Sequence, residues 1–341
     1  MTVTAPELHE RVARDAARHR VLTGDRPTGP LHLGHYFGTL ENRVTLQRAG
    51  VEVFLIIPDY QVIIDRDVAD RLEERVLGLI ADYLAVGIDP ATAMIFTHSA
   101  VPALNQLFLP FLSLVSVPEL SRNPTVKDEI EHSRQNAVSG LMFTYPVHQA
   151  ADILFCKADL VPVGRDQAPH LEITRTVARR FNERYGEVFP VPECLLSDVP
   201  LLLGTDGQKM SKSRGNAIAL SSTADEVAHL VKRAKTDADR NIAYAPETRP
   251  EVSNLVQLAA LTQGRAPEDV AAEIGDRGAA ELKRVVTESV NEFLRPIRER
   301  RAAFAADPAQ LRAVLAAGNA RANEIAETTL AEVRKAMAMT Y

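Results

Sequence analysis

A glycine-rich segment with two histidines is the first part of the sequence whose residue types suggest chemistry. It runs from Thr23 to His35 as TGDRPTGPLHLGH, after an apolar strand start at Val21-Leu22 and before an amphipathic stretch. A strand, a glycine-rich turn and a helix N-terminus in succession offer unpaired backbone N–H groups to a phosphate. His32 and His35 can donate hydrogen bonds from one face of that helix. Histidines near a turn are also common as packing or capping residues, so this segment alone leaves both interpretations open.

A second segment is small, flexible and basic, and reads GQKMSKSRGN over residues 207–216. Lys209 and Lys212 in this loop suit a mobile clamp on a polyphosphate. A lysine that engages strongly only as charge moves onto a leaving pyrophosphate stabilises the transition state selectively. On its own, such a loop is better explained as a solvated basic linker, because lysine–serine loops are common.

A parallel sheet is the arrangement that the pattern between these segments predicts. From Val21 to about Leu220, apolar runs alternate with amphipathic stretches, which is typical of strands joined by crossover helices. The runs at 53–57, 94–96 and 160–163 predict strands, and 70–86 predicts a helix that Gly87 ends. After Leu220 a helix cap follows, no convincing strand appears again, and Pro296 and Pro308 are expected to interrupt later helices.

Composition excludes several classes of protein. The chain has 341 residues, 46% hydrophobic and 25% charged, and its longest apolar runs fall far short of the ~20 residues of a membrane-spanning helix. Its N-terminus resembles no signal or transit peptide, so we expect a cytoplasmic protein without a membrane segment. Cys156 and Cys194 cannot form a disulfide framework or a four-ligand zinc site. The net charge of −6 argues against sequence-independent nucleic-acid coating, and the basic bias of residues 295–341 fits a solvated helix face as well as a phosphate contact.

Together, the two segments resemble the signatures of class I aminoacyl-tRNA synthetases. Residues 32–35 (HLGH) are similar to the family's His-Ile-Gly-His, and residues 209–213 (KMSKS) match its second signature letter for letter. Residues 145–154, 161–175 and 180–182 look like tryptophanyl-tRNA synthetases in particular. The resemblance implies an N-terminal extension at 1–20, a Rossmann-like, doubly wound α/β catalytic domain with a helical insertion at 21–220, and a helical anticodon- and tRNA-binding domain at 221–341.

The activity implied by the resemblance is that of a tryptophan–tRNA ligase. Such an enzyme activates L-tryptophan with ATP to tryptophanyl-adenylate, releases pyrophosphate, and transfers the amino acid to the 3′ end of tRNA(Trp). No protein nucleophile is needed, so catalysis is positioning plus electrostatics, with Mg²⁺ accompanying the ATP. The family also implies a homodimer, formed through the sheet domain and the apolar segment 104–117, which could equally be ordinary core.

The resemblance assigns His32, His35, Lys209 and Lys212 to catalysis. It assigns a larger set to ATP: Arg26, Pro27, Thr28, Gly34, His35, Gly164, Arg165, Asp166, Leu202, Lys209, Met210, Ser211, Lys212 and Ser213. In this set, Gly164 and Asp166 reach the ribose and Leu202 flanks the adenine. Lys127 stands where the family has another phosphate-directed lysine, but Glu129 replaces the basic residue expected two positions later.

For tryptophan, the resemblance makes Asp152 the acceptor of the indole N–H and gives the α-amino group to Tyr145 and Gln167. A buried carboxylate aimed at one donor would reject phenylalanine, which leaves it unpaired. Without its motif, Asp152 would be interpreted as a helix N-cap or an ion-pair partner. Gln61 and Gln149 stand where many bacterial members have histidine and methionine, which resembles an auxiliary bacterial subtype with members that tolerate tryptophan-mimicking inhibitors.

Two alternatives remain at this point. A tyrosyl-tRNA synthetase shares the fold and the signatures, and a catalytically silent paralogue would bind tRNA or amino acid without making adenylate. The intact signatures argue against the silent paralogue. We expect tRNA to be held mainly by the helical region, with the sheet domain contacting the acceptor end.

Overall fold

Five parallel strands form one sheet in the order β3-β2-β1-β4-β5. The computed structural model describes residues 12, 14–62, 71–124, 126–127, 139–163, 168–196 and 202–341. The strands are β1 Arg20–Gly24, β2 Glu52–Ile57, β3 Ala93–Thr97, β4 Leu160–Val163 and β5 Glu193–Leu196. Because the strand order reverses between β1 and β4, the carboxyl ends of these two strands open a crevice where doubly wound sheets bind ligands. The predicted Rossmann-like α/β fold is therefore confirmed.

The strands are buried on both faces, as is usual for a parallel sheet. On β2, Val53 and Leu55 enter one core while Phe54 and Ile56 enter the other, and all four side chains are buried. The three strands predicted from their apolar runs are confirmed as β2, β3 and β4.

Helices cover both faces of this sheet. The helix α1 is continuous through three segments, Leu33–His35, the π-helical Tyr36–Leu40 and Glu41–Arg48. The others in this region are α2 Asp59–Val62, α3 Leu72–Val86, α4 Pro102–Leu112, α5 Val117–Arg122, α6 Gly140–Leu154 and α7 Ala168–Tyr185. Gly87 ends α3 with a φ of +108°, a left-handed conformation that favours glycine.

Beyond Leu220, where every residue is described, the chain is helical and contains no strand, as predicted. Its helices are α8 Ala224–Arg233, α9 Pro250–Gln263, α10 Pro267–Ile274, α11 Gly278–Ala305 and α12 Pro308–Ala336. Pro308 opens α12, but the expectation that Pro296 interrupts a helix is wrong, because α11 continues through it. The buried Leu294 and Ile297 flank Pro296, and their packing overrides its poor helix propensity.

Both ends of the described chain pack against the sheet region. Val12 and Ala16 are buried in the same core as β1, so this part of the expected N-terminal extension contributes to the fold. At the other end, a Cβ on Gly318 of α12 would lie 1.8 Å from the carbonyl oxygen of Ile95, so only glycine allows the helix to approach β3 so closely. Asn319 then accepts a hydrogen bond from the backbone N–H of Thr97 at 3.0 Å. The boundary at residue 220 stays a prediction, with α12 lying on the sheet.

No helix among the described residues is long and apolar enough to cross a membrane. Cys156 and Cys194 are free thiols.

Candidate active site

The turn after β1 is anchored by a largely buried carboxylate. Asp25 accepts hydrogen bonds on Oδ2 from Arg43 at 2.5 Å and from the Tyr83 hydroxyl at 2.9 Å. Burial alone would raise the pKa of Asp25, but the charge of Arg43 and these hydrogen bonds hold it well below its ordinary value. Asp25 is therefore ionised, and it fixes the start of the glycine-rich segment.

His32 and His35 lie against each other at the start of α1. Their ring centroids are 3.7 Å apart, and the backbone N–H of His32 donates to Nδ1 of His35 at 3.2 Å. Burial, together with the positive charge of Lys212, lowers the pKa of His32 from 6.5 to about 3 and that of His35 to about 4. Both rings are thus neutral at pH 7, and each can donate one hydrogen bond without carrying charge.

The basic loop is held in shape by one buried side chain. Asn216 accepts a hydrogen bond from the backbone N–H of Ser211 at 2.8 Å and donates to Asp206 at 2.7 Å and to the carbonyl of Lys209 at 3.2 Å. A Cβ on Gly204 would lie 2.3 Å from the Asn216 amide, so glycine is required there. These contacts close residues 204–216 into a compact loop.

The structure brings the histidine segment and the basic loop together. Lys212 donates from Nζ to the carbonyl of Gly29 at 2.8 Å, and burial lowers its pKa. Just beyond the loop, the backbone N–H of Leu33 donates to Ile218 at 3.0 Å, and that of Leu220 donates to Leu31 at 2.8 Å. The two segments therefore form one surface at the carboxyl end of β1.

The other residues assigned to ATP fall into three groups. Near the two signatures, Arg26 and Lys209 are exposed, Thr28, Gly34 and Ser211 are half-buried, and Pro27, Leu202 and Met210 are buried. Gly164, Arg165 and Asp166 lie outside the described residues, as does Gln167 from the tryptophan set. For Ser213 the structure describes only the backbone, which forms a short 3-10 turn over Lys212–Arg214. Lys127 is exposed beyond α5, and Glu129 lies outside the described residues.

A second polar cluster surrounds the predicted tryptophan-recognising carboxylate on α6. Asp152 is 2% exposed, and its Oδ1 accepts a hydrogen bond at 2.8 Å from Nε2 of the fully buried His98. Next to it, His148 Nε2 donates to Oδ1 of Asn105 at 2.8 Å, because the Asn105 amide nitrogen already donates to the carbonyl of His98. The rings of His98 and His148 are 4.5 Å apart, and burial lowers the pKa of His148, which is therefore neutral.

Other predicted pocket residues lie on the elements around this cluster. Tyr145 is buried and Gln149 half-buried, and both share the α6 face of Asp152 through their helical spacing. Gln61, half-buried on α2, is held near the end of β3 because Asp59 accepts hydrogen bonds from the backbone and hydroxyl of Ser99. Gln61 and Asp152 therefore both belong to elements packed at the end of β3.

The cluster of His98, His148 and Asp152 contains the residue types that bind metal ions. His98, His148 and Asp152 each offer one ligand atom, all within 4.8 Å of one another. However, the direct hydrogen bond between His98 and Asp152 already satisfies that carboxylate oxygen. The cluster is thus a buried hydrogen-bonded group whose geometry does not require a metal.

Sequence reasoning missed His98, Asn105 and His148. A signal existed for two of them, since His98 directly follows a predicted strand and His148 precedes Asp152 by one helical turn. Asp25 and Asn216 carried no comparable signal, because their partners are set by tertiary structure.

Comparisons with known proteins identify one family. The class I tRNA synthetase family for tryptophan and tyrosine (W and Y) matches residues 14–295. The tryptophan–tRNA ligase of Treponema pallidum is 44% identical over 328 residues, covering 94% of this chain and 97% of that protein. That of Clostridium longisporum is 38% identical, covering 95% and 98%. The crystal structure of Campylobacter jejuni tryptophanyl-tRNA synthetase complexed with ADP and tryptophan is 29% identical, with a TM-score of 0.81 and coverage of 94% and 99%.

Proposed function

The chain belongs to the class I tRNA synthetases for tryptophan and tyrosine, and from this membership we propose that it activates L-tryptophan with ATP and transfers it to tRNA(Trp). The observation that carries the proposal is the junction of the two signatures, where Lys212 contacts the turn that precedes His32. A catalytically silent paralogue would have no need to preserve this junction. The substrates of the proposed reaction are found in the cytoplasm, and we expect this protein to act there.

ATP is the ligand that the signature surface suits. The neutral His32 and His35 donate hydrogen bonds to phosphate oxygens, and Lys212 and Lys209 supply positive charge. Lys212 donates to the carbonyl of Gly29, and it would exchange this partner for the pyrophosphate as negative charge develops there. This change of partner would concentrate its contribution in the transition state. The Campylobacter jejuni structure, which contains ADP and tryptophan, supports the use of this nucleotide class.

Mg²⁺ would reach the site with the ATP. Mg²⁺ prefers oxygen ligands, whereas His32, His35, Lys209 and Lys212 contribute imidazoles and ammonium groups. Asp25, the nearest carboxylate on this segment, is already engaged by Arg43 and Tyr83. These residues therefore fit the phosphates, whose own oxygens would hold the ion.

Tryptophan, rather than tyrosine, is the favoured substrate. Both curated relatives described above are tryptophan–tRNA ligases, at 44% and 38% identity over nearly the full chain. In the pocket, Asp152 is buried, and its hydrogen bond from His98 orients the carboxylate. A fixed, buried acceptor discriminates through the cost of leaving it unpaired. We propose Tyr145, Gln61 and Gln149 as its neighbours around the indole and the α-amino group.

A homodimer is part of the proposal. In segment 104–117, Leu104, Leu107 and Phe111 are core residues, but Leu109 is 73% exposed and Val117 is 66% exposed. The segment therefore contributes to the core and also presents an apolar surface that a second copy can cover.

The function is tested by ATP–pyrophosphate exchange with each of the standard amino acids. We expect exchange to depend on tryptophan. Exchange that depends on tyrosine would establish the alternative specificity, and exchange with no amino acid would indicate a silent paralogue.

A further inference from the structure

A buried ion pair connects the helical region to the first signature. Arg301 of α11 donates from Nε to Oδ1 of Asp82 at 2.5 Å, and Oδ2 of the same carboxylate accepts the backbone N–H of Leu31 at 2.9 Å. Leu31 immediately precedes His32. We infer that Arg301 is a positioning residue for amino-acid activation, which acts through Asp82 on the backbone that carries the signature histidines. This inference rests on the proposed function.

Leu31 is fixed from two sides. Its N–H is held by Asp82 of α3, and its carbonyl accepts the N–H of Leu220 at 2.8 Å. The following residue, His32, forms an antiparallel bridge with Ala219. The signature backbone is therefore clamped between α3 and the segment that follows the basic loop. Loss of the Asp82 contact would leave it held from one side only.

Asp82 depends on Arg301 for its position. The Asp82 side chain is completely buried within an otherwise apolar stretch of α3, and that of Arg301 is 23% exposed. Burial raises the pKa of Asp82 above its ordinary value. The charge of Arg301 and the hydrogen bond from the Leu31 N–H oppose this rise, and the charge of Lys212 opposes it more weakly. Removing one partner of a buried pair leaves the other charge uncompensated. Without Arg301, the buried carboxylate loses a compensating charge, and we expect it to take up a proton or change its orientation. Either change weakens its hydrogen bond with Leu31.

A neighbouring arginine provides a matched control. Arg300 also joins α11 to α3, by donating from Nε to the carbonyl of Ala85 at 2.7 Å, and it lies beside Tyr36 of α1. Among the residues that the structure describes, no hydrogen bond of Arg300 reaches Leu31 or His32. Arg300→Met and Arg301→Met therefore each remove one arginine contact between the same two helices. Only the second disturbs Leu31.

The experiment measures tryptophan-dependent ATP–pyrophosphate exchange by the full-length protein. We expect Arg301→Met to lower kcat by about tenfold or more, while the KM for tryptophan stays within about twofold. Arg300→Met should leave kcat within about twofold of the wild type. Arg301→Lys should recover part of the loss, because it returns the charge without the guanidinium geometry. Asp82→Asn should lower kcat as Arg301→Met does, and the double variant should be no worse than either single one.

Several results would overturn the inference. One is an unchanged kcat in Arg301→Met, and another is an equal loss of kcat in Arg300→Met. The inference would also fail if Arg301→Met acted mainly on the KM for tryptophan, or if the effects of Arg301→Met and Asp82→Asn were additive in the double variant. If Arg301→Met does not unfold cooperatively on heating, Arg301→Lys and Asp82→Asn decide the question by the same criteria. A wild-type protein that activates a different amino acid would refute the proposed substrate, and the same ratios would then be measured with that amino acid.

Discussion

Asp152→Asn tests the amino-acid pocket most directly. The carboxylate is nearly fully buried and receives one charge-assisted hydrogen bond from His98, and the proposed indole N–H would provide a second. The amide keeps the shape of the side chain but removes its charge, and its nitrogen cannot accept from either donor. A hydrogen bond to a charged group contributes about 1.5–3 kcal/mol. We therefore expect kcat/KM for tryptophan to fall by about 10- to 150-fold.

Steady-state exchange kinetics, with tryptophan and ATP varied separately, measure this effect. The KM for ATP should change by less than about twofold, because the signature surface lies on other elements. Asp89→Asn makes the same atomic change at an exposed turn and should leave both constants unaltered. A tryptophan kcat/KM within about twofold of the wild type would refute the assignment of Asp152 as the indole acceptor.

Four further predictions concern other parts of the molecule. Lys212→Ala should lower the pre-steady-state rate constant of adenylate formation far more than it raises the dissociation constant of ATP, and the opposite split would indicate uniform binding. Because the pKa values of His32 and His35 are lowered by folding, the unfolded chain binds more protons than the folded chain below about pH 6.5. The free energy of unfolding, measured in urea, should therefore fall as the pH drops from about 7 to about 4. The fall should be less steep in His35→Gln. Arg321→Glu, at an exposed position of α12, should weaken tRNA charging and reduce its salt dependence while exchange is retained. Leu109→Glu should convert a dimer into a monomer in light scattering after size exclusion, and an unchanged mass would exclude this face as the interface.

The parallel sheet could be predicted because β2, β3 and β4 contain continuous apolar runs. β5 escaped prediction because Glu193–Leu196 is short and begins with a charged residue, so only its pairing with β4 identifies it. The prediction that Pro296 interrupts a helix was wrong because the packing of α11 outweighs the poor helix propensity of proline.

In the candidate site too, the sequence identifies the local motifs but not the contacts between distant residues. Motifs identified the two signature segments, but their contact through Lys212 and Gly29 joins residues far apart in the chain. Asp82 carries no motif and would be interpreted from sequence as a polar residue on a helix surface. Its contacts with Leu31, just before α1, and with Arg301 of α11 form only when these elements pack against α3.

The basic bias of residues 295–341 is mostly structural. Arg298 donates to the carbonyl of Ser222, Arg301 pairs with Asp82, and Arg312 pairs with Glu73. Arg298 is therefore a poor candidate for a tRNA contact, whereas Arg321 is exposed.

The contact between Gly318 and β3 can form only late in the synthesis of the protein. β3 is an edge strand, and α12 covers the edge that would otherwise offer unpaired backbone groups to another chain. A ribosome synthesises β3 more than two hundred residues before Asn319 can reach Thr97. Throughout that interval the nascent sheet has an open edge, which is a site for aggregation during translation. A larger side chain at position 318 would keep α12 away from β3, so this edge would stay open in the finished protein as well.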